Sequence, residues 1–162
     1  MLGSGTGAQP FKTVQELIDL AKTQPLAYAS SGNGTPLHLS GELFKAMAGV
    51  DITHIPYKGS GPALTDVLGG QVPVYFDQVA SSLPHIQGGK LRAIAVSWNE
   101  RLAVLPDVPT FKEVGLEAAN RMAYYGFLGP KGMSKDVVDK VSAAVKKTVE
   151  LPDVKKRIED TG

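Results

Sequence analysis

A chain of 162 residues, 43% hydrophobic and 20% charged, has the size and make-up of one globular domain, which excludes a disordered or fibrous protein. The 17 Lys and Arg against 16 Asp and Glu leave a net charge of +1, so no overall field draws a nucleic acid to it. Without Cys it has no disulfide, thiol nucleophile or thiolate zinc site, and apolar runs such as Leu91 to Val96 are far shorter than the ~20 residues of a membrane-spanning helix.

Residues 1–9 are Gly-rich, with neither the basic start nor the apolar stretch of a secretory signal, and read as a flexible linker or an added tail. Thr13-Val-Gln-Glu16 has the form of a capping box. Val14, Leu17, Ile18 and Ala21 then recur at helical spacing until Pro25, which predicts a short amphipathic helix. Leu26 to Ser31 predicts a strand, Ser31-Gly-Asn-Gly34 a glycine loop, and Thr35-Pro36 the opening of a second helix. The same order repeats with a strand over Ile52 to Tyr57, a loop over Lys58-Gly-Ser-Gly61 and a helix over Pro62 to Leu68, stopped by Gly69-Gly70. Val72 to Asp77 predicts a third strand, Val79 to Gln87 a helix, and Leu91 to Ser97 a fourth strand of buried type. From Trp98 to Gly115 the chain is loop-rich, with Thr110 to Val114 able to form one or two helical turns. Met122 to Leu128 predicts a fifth strand. Ser134 caps a long helix whose apolar face is Val137, Val138, Val141, Ala144 and Val145, and Pro152 opens a last one.

Strands alternating with helices predict an α/β fold, a Rossmann-like and mostly parallel sheet with helices on both faces, because parallel neighbours need a crossover. Ligands of such sheets bind at the carboxyl ends of the strands. Here those ends are Ser30 to Thr35, Tyr57 to Gly61, Asp77 to Gln78 and Ser97 to Glu100. In the first of them, Ser30, Ser31, Gly32, Asn33, Gly34 and Thr35 gather backbone N–H groups and hydroxyls at a helix N-terminus, an array suited to an anion, whether carboxylate or phosphate. The same spacing equally describes a tight turn with Thr35 capping the helix. Pro36-Leu-His38 follows where a P-loop needs Lys, and the third Gly of a dinucleotide fingerprint is missing, so no nucleotide cofactor is expected. Asp77 and Gln78 sit at the ligand edge, where Asp77 either holds a ligand or caps the next helix. Lys58 and Gly59 stand at a neighbouring strand end, Lys58 able to attract an anion or to stay solvated. His38, one turn into the loop's helix, is expected to bond backbone or Glu42 rather than a ligand. His38, His54 and His85 fall on separate elements, so no metal site is expected, and no Gly-x-Ser-x-Gly elbow presents a nucleophile.

Tyr28-Ala-Ser-Ser-Gly-Asn-Gly-Thr35, then His38-Leu39, then His54-Ile-Pro-Tyr-Lys-Gly59, resemble the signatures of the tripartite tricarboxylate transporter receptors, also called Bug proteins. Leu105-Pro-Asp-Val-Pro-Thr110, followed by Glu113 and Gly115, is similar to a further family stretch, and order and separations agree from Phe11 to Gly162. The resemblance implies one lobe of a Venus-flytrap protein of the periplasm. Such a protein closes on a small carboxylate, a dicarboxylate, tricarboxylate or related acid, and delivers it to the membrane subunits of a transporter, without cofactor or catalytic residue. It implies a ligand held between two strand-turn-helix loops, one per lobe, partly through ordered waters, which bind nearly as well as direct contacts. Ser30 to Thr35 match the second-lobe loop and Asp77 a strand-end position facing the cleft.

On the same resemblance, a first-lobe segment before Phe11 and a stretch after Gly162 are missing. The chain is therefore expected to be a fragment, with residues 10–162 forming one lobe and a signal sequence upstream. Half a cleft is expected to bind weakly or undetectably. Residues 122–162, read as crossing to the other lobe, would leave apolar surface here and so leave a homodimer open. The reading from a different class is a small α/β enzyme acting on a phosphorylated or carboxylated metabolite at the Ser30 to Thr35 loop, with His38 and Asp77 as its acid and base.

Overall fold

The computed structural model describes residues 2–5, 11–120 and 126–160, the first of these through the backbone alone, and they divide into two units, Met1–Met122 and Ala123–Gly162. In the first unit, α1 (Val14–Thr23) begins where Thr13 accepts the Glu16 N–H on its hydroxyl at 3.2 Å, and it buries Val14, Leu17 and Ile18. β2 (Leu26–Ser30) leads through the glycine loop into α2 (Pro36–Ala48), which Thr35 caps and which Gly49 ends in the left-handed conformation. β3 (Ile52–Pro56) and α3 (Ser60–Leu68) repeat the unit, and β4 (Val74–Phe76), α4 (Val79–Gln87) and β5 (Leu91–Ala95) complete the alternation. α3 starts two residues before the predicted Pro62, since proline is tolerated in a first helical turn, where its missing N–H has no partner to lose.

The predicted linker contains a strand. Leu2–Gly5 forms β1, which lies between β4 and β5 and runs antiparallel to both; Met1 and residues 6–9 lie outside the described residues. Leu-Gly-Ser-Gly carries no strand signature, and its place comes from backbone pairing with two neighbours, a tertiary effect that overrides weak local propensity. The sheet order is β3-β2-β4-β1-β5, with β2 parallel to β3 and to β4. β5 runs with β4 because both oppose β1, so the sheet is mostly parallel with one reversed strand inside it.

Alternate residues of each strand serve opposite faces. Tyr28, Val74 and Phe76 pack with α1 and α2 around Leu17, Leu37 and Phe44, while Ala29 and Tyr75 pack with Ala63 and Val67 of α3. Helices therefore cover both faces, as the alternation predicts. After β5, Val96 donates to the Pro109 carbonyl at 2.9 Å and accepts from Phe111 at 3.0 Å, which ties the Pro-rich loop back to the sheet. Thr110 to Val114 forms turns closed by a reciprocal pair of bonds between Thr110 and Glu113, and a short 3-10 helix follows at Glu117–Ala119.

Of the predicted fifth strand, residues 122–125 lie outside the described residues and Gly126 to Leu128 has no regular structure. The second unit holds α5 (Lys135–Val149) and α6 (Pro152–Asp160), in neither of which a residue is buried. Val137, Val138 and Val141 are each more than 40% exposed.

Candidate functional site

The carboxyl ends of β2, β3 and β4 meet at one edge of the sheet, and each is followed by the start of a helix. Each helix start exposes N–H groups with no intrahelical partner, and together with the helix dipole they favour an anion. The β2 and β3 loops are joined by main chain: Tyr57 donates to the Ser30 carbonyl and Gly59 to the Ser31 carbonyl, both at 3.1 Å. Gly32 needs its lack of a side chain, since its φ is +135° and a Cβ would stand 3.1 Å from the Tyr57 carbonyl oxygen.

Within the β2 loop the Gly32 carbonyl accepts from the Thr35 hydroxyl at 2.7 Å, and that hydroxyl accepts the His38 N–H at 3.3 Å. Thr35 is thus the helix cap that the spacing allows. Ser30 is buried, and its hydroxyl lies 2.7 Å from His54 Nε2 and accepts the Gly32 N–H at 3.2 Å. Ser31 is half-buried, Asn33 and Gly34 are exposed, and Asn33 hydrogen-bonds to nothing among the described residues. The loop thus keeps its most outward amide free at a helix N-terminus.

Asp77 is buried at the end of β4. Its Oδ1 accepts from the Ser60 hydroxyl at 3.1 Å, and its Oδ2 from Ser81 and Ser82, both at 2.6 Å. It pins the starts of α3 and α4 together, and Gln78 beside it is exposed and occupies the N-cap of α4. Lys58 is exposed, and Gly59 is the N-cap of α3 at φ +107°. Two predicted groupings are therefore brought to one edge, the loop with Lys58 and Gly59, and Asp77 with Gln78. Ser81 and Ser82, four and five residues on in α4, meet Asp77 locally, at the helix start that its position allows it to cap, whereas Ser60 carries no local signal, because its role depends on how β3 and β4 are placed in the sheet.

Behind the loop lies a polar cluster. His38 Nδ1 accepts the Gly34 N–H at 3.0 Å, and its Nε2 stands 4.0 Å from Glu42, which is the backbone and Glu42 partnership its position predicts. The Tyr28 hydroxyl donates to Glu42 at 2.7 Å, and Lys45 pairs with the same carboxylate at 3.2 Å. Burial would raise the Glu42 carboxyl, but the Tyr28 hydrogen bond and the Lys45 ammonium outweigh it and hold Glu42 below the usual range. Burial, then the Glu42 bond and charge, push the Tyr28 phenol far up. Burial pushes the His54 imidazole down, with His38 and Lys45 adding to the effect and Glu42 opposing it. His38 and Asp77, the acid and base of the enzyme reading, each spend their polar atoms on holding loops in place.

Residues 5–162 match the model of the tripartite tricarboxylate transporter family receptor. A protein of the tcbD-tcbE intergenic region of Pseudomonas sp. (strain P51) is 35% identical over 155 residues, 94% of this chain and 46% of that one. A solved periplasmic transporter is 42% identical with a TM-score of 0.92, over 99% of this chain and 54% of that chain. Rpa4515 of R. palustris, solved with adipate, is 31% identical at TM-score 0.91, over 100% of this chain and 55% of its own. MatC from Rhodopseudomonas palustris, solved with bound malate, is 32% identical at TM-score 0.92, again over 100% of this chain and 55% of that one. The chain spans about half the length of each of these proteins.

Proposed function

The chain belongs to the tripartite tricarboxylate transporter receptor family, and from that premise we propose that it is one lobe of a solute-binding receptor that holds a small carboxylate at the Ser30–Thr35 loop. The observation that carries this is the edge where the starts of α2, α3 and α4 converge, with Asn33 and Gly34 outermost. A carboxylate there meets N–H donors and the positive ends of helix dipoles, while exposed Lys58, in the neighbouring β3–α3 loop, supplies a cation. Asp77 and Gln78 shape the floor of the site, Asp77 by fixing two helix starts and Gln78 by offering an amide.

The relatives solved with malate and with adipate support a dicarboxylate as the ligand class. Their doubled length supports a two-lobed receptor in which residues 10–162 supply one lobe and part of the crossing to the other. The exposed valines of α5 support a packing role for that helix, against the other lobe or, in this chain alone, against a second copy. The solved periplasmic relative supports a periplasmic location, and the family's description as a transporter receptor supports delivery to membrane subunits. The family is one of receptors, and no catalytic step is assigned to this chain.

Amide NMR of the labelled chain tests the reading, because it detects binding weak enough to escape a melting curve. Millimolar malate or adipate is expected to move the Ser31 to Thr35 and Gly59 resonances, and phosphorylated metabolites are not. A low-micromolar constant for either acid would contradict the half-cleft, and a response to phosphorylated compounds alone would point to the enzyme reading.

A further inference from the structure

Three rings stack in series beneath the loop. Tyr28 lies on His54 with centroids 4.8 Å apart and planes at 26°, and His54 lies on His38 at 4.1 Å and 16°. Each histidine also holds one end of the loop: His54 Nε2 meets the buried Ser30 hydroxyl at 2.7 Å, and His38 Nδ1 accepts the Gly34 N–H at 3.0 Å. We propose that His38 and His54 are positioning residues of the Ser30–Thr35 loop, which they hold in its ligand-binding form only while both rings are neutral. The inference rests on the receptor reading for its effect on affinity, and on this geometry alone for its effect on the loop.

The Gly34 N–H fixes the His38 tautomer. A donor pointing at Nδ1 requires a bare nitrogen there, so the ring proton of neutral His38 sits on Nε2, the nitrogen that faces Glu42 4.0 Å away. A second proton can enter only at Nδ1. It would then oppose the Gly34 N–H, donor against donor, and the bond that ties the outer end of the loop would be lost. Gly34 makes no other hydrogen bond among the described residues, and its φ of +74° gives it wide freedom once released.

The groups facing the pair decide which ring protonates first. Glu42 and Lys45 of α2 and Tyr28 and Ser30 of β2 surround it, Lys45 is shared with Asp51 at 3.7 Å, and Phe76 of β4 meets Tyr28 edge-on. His38 points a nitrogen at the carboxylate, whereas burial, and then its neighbour, push the His54 imidazole down. Two cationic rings stacked at this distance repel each other, so one proton enters the pair, at His38, and its arrival unfastens the loop.

Nitrogen-detected NMR of the labelled chain tests this without any ligand. At pH 7.5 His38 is expected as the Nε2–H tautomer, and on acidification the Gly34 amide shift follows the same midpoint as the His38 ring. Protection of the Gly34 amide, corrected for intrinsic exchange, is expected to fall at least tenfold between pH 7.5 and 5.5. His38→Asn keeps an acceptor oxygen near Nδ1 and cannot titrate, so its Gly34 resonance should stay constant. His54→Phe keeps a ring in the stack and, since the proton enters at His38, the Gly34 transition should persist in it. An Nδ1–H tautomer of His38, or a Gly34 amide that ignores the titration, overturns the proposal even if both variants misfold. Malate and adipate are expected to bind at least tenfold more weakly at pH 5.5, after the same ratio in His38→Asn is divided out to correct for protonation of the acids. Equal ratios in the two proteins overturn the affinity effect. If neither acid binds at any pH, as half a cleft allows, the affinity effect is set aside and the clamp is decided by the tautomer and the Gly34 titration alone.

Discussion

Tyr28 is fully buried, and its hydroxyl donates to a Glu42 carboxylate whose side chain is 41% exposed. The phenol thus ties the sheet to the surface of α2. Tyr28→Phe keeps the ring stack and removes the donor, and the loss of a hydrogen bond to a charged group should cost about 1.5–3 kcal/mol in denaturant unfolding. The cluster also sets a pH dependence. His54 is depressed in the folded state, so the unfolded chain takes up its proton first, and stability present above the ordinary histidine value drains away as pH falls below it. Glu42, also depressed, extends the loss as pH falls through the acidic range below the usual carboxylate value. The melting temperature is therefore expected to decline steadily on acidification from neutral pH, and the first part of that decline should vanish in His54→Phe; a flat profile between pH 7 and 5 would contradict it.

At the scale of elements, α2 shows what could be read from sequence and what could not. Its start at Thr35-Pro36 was visible because a cap acts within one turn of chain. Gly41, by contrast, looks like a mid-helix cost of about 1 kcal/mol with no local reason. The reason is Tyr28, whose ring occupies the space a Cβ at position 41 would need. Gly41→Ala should therefore destabilise the fold by about 1–3 kcal/mol, against the direction that helix propensity alone predicts. Chemical denaturation decides the sign, and an unchanged or raised midpoint would show that Tyr28 yields without cost. The same division holds at the site. The Ser30–Thr35 loop and Asp77 were legible because strand ends and glycine turns are local, and Ser81 and Ser82 lie within five residues of Asp77, while Ser60 was not legible, because only the sheet order brings it to Asp77. β1 was missed for the same reason: it has pairing partners but no pattern of its own.

At the scale of the whole molecule, the second unit carries its apolar side chains outward, with Val137, Val138, Val141, Val149 and Ile158 all more than 40% exposed. Apolar surface of that kind seeks a partner. Sedimentation of this chain is expected to show concentration-dependent self-association that Val138→Lys with Val141→Lys abolishes; a monomer at all concentrations would leave α5 a solvated helix. The reversed strand inside the sheet has a different bearing, on the order of events in time. Leu2–Gly5 finds its partners only at Val74–Phe76 and Leu91–Ala95, so on a ribosome it must wait, unpaired, while the β2, β3 and β4 units are made. Closure of so long a loop is slow compared with local helix formation. The two halves of the sheet, β3-β2-β4 and β5, are thus joined last by a segment made before either of them, and β5 acquires its place in the sheet only when that segment slides in beside it.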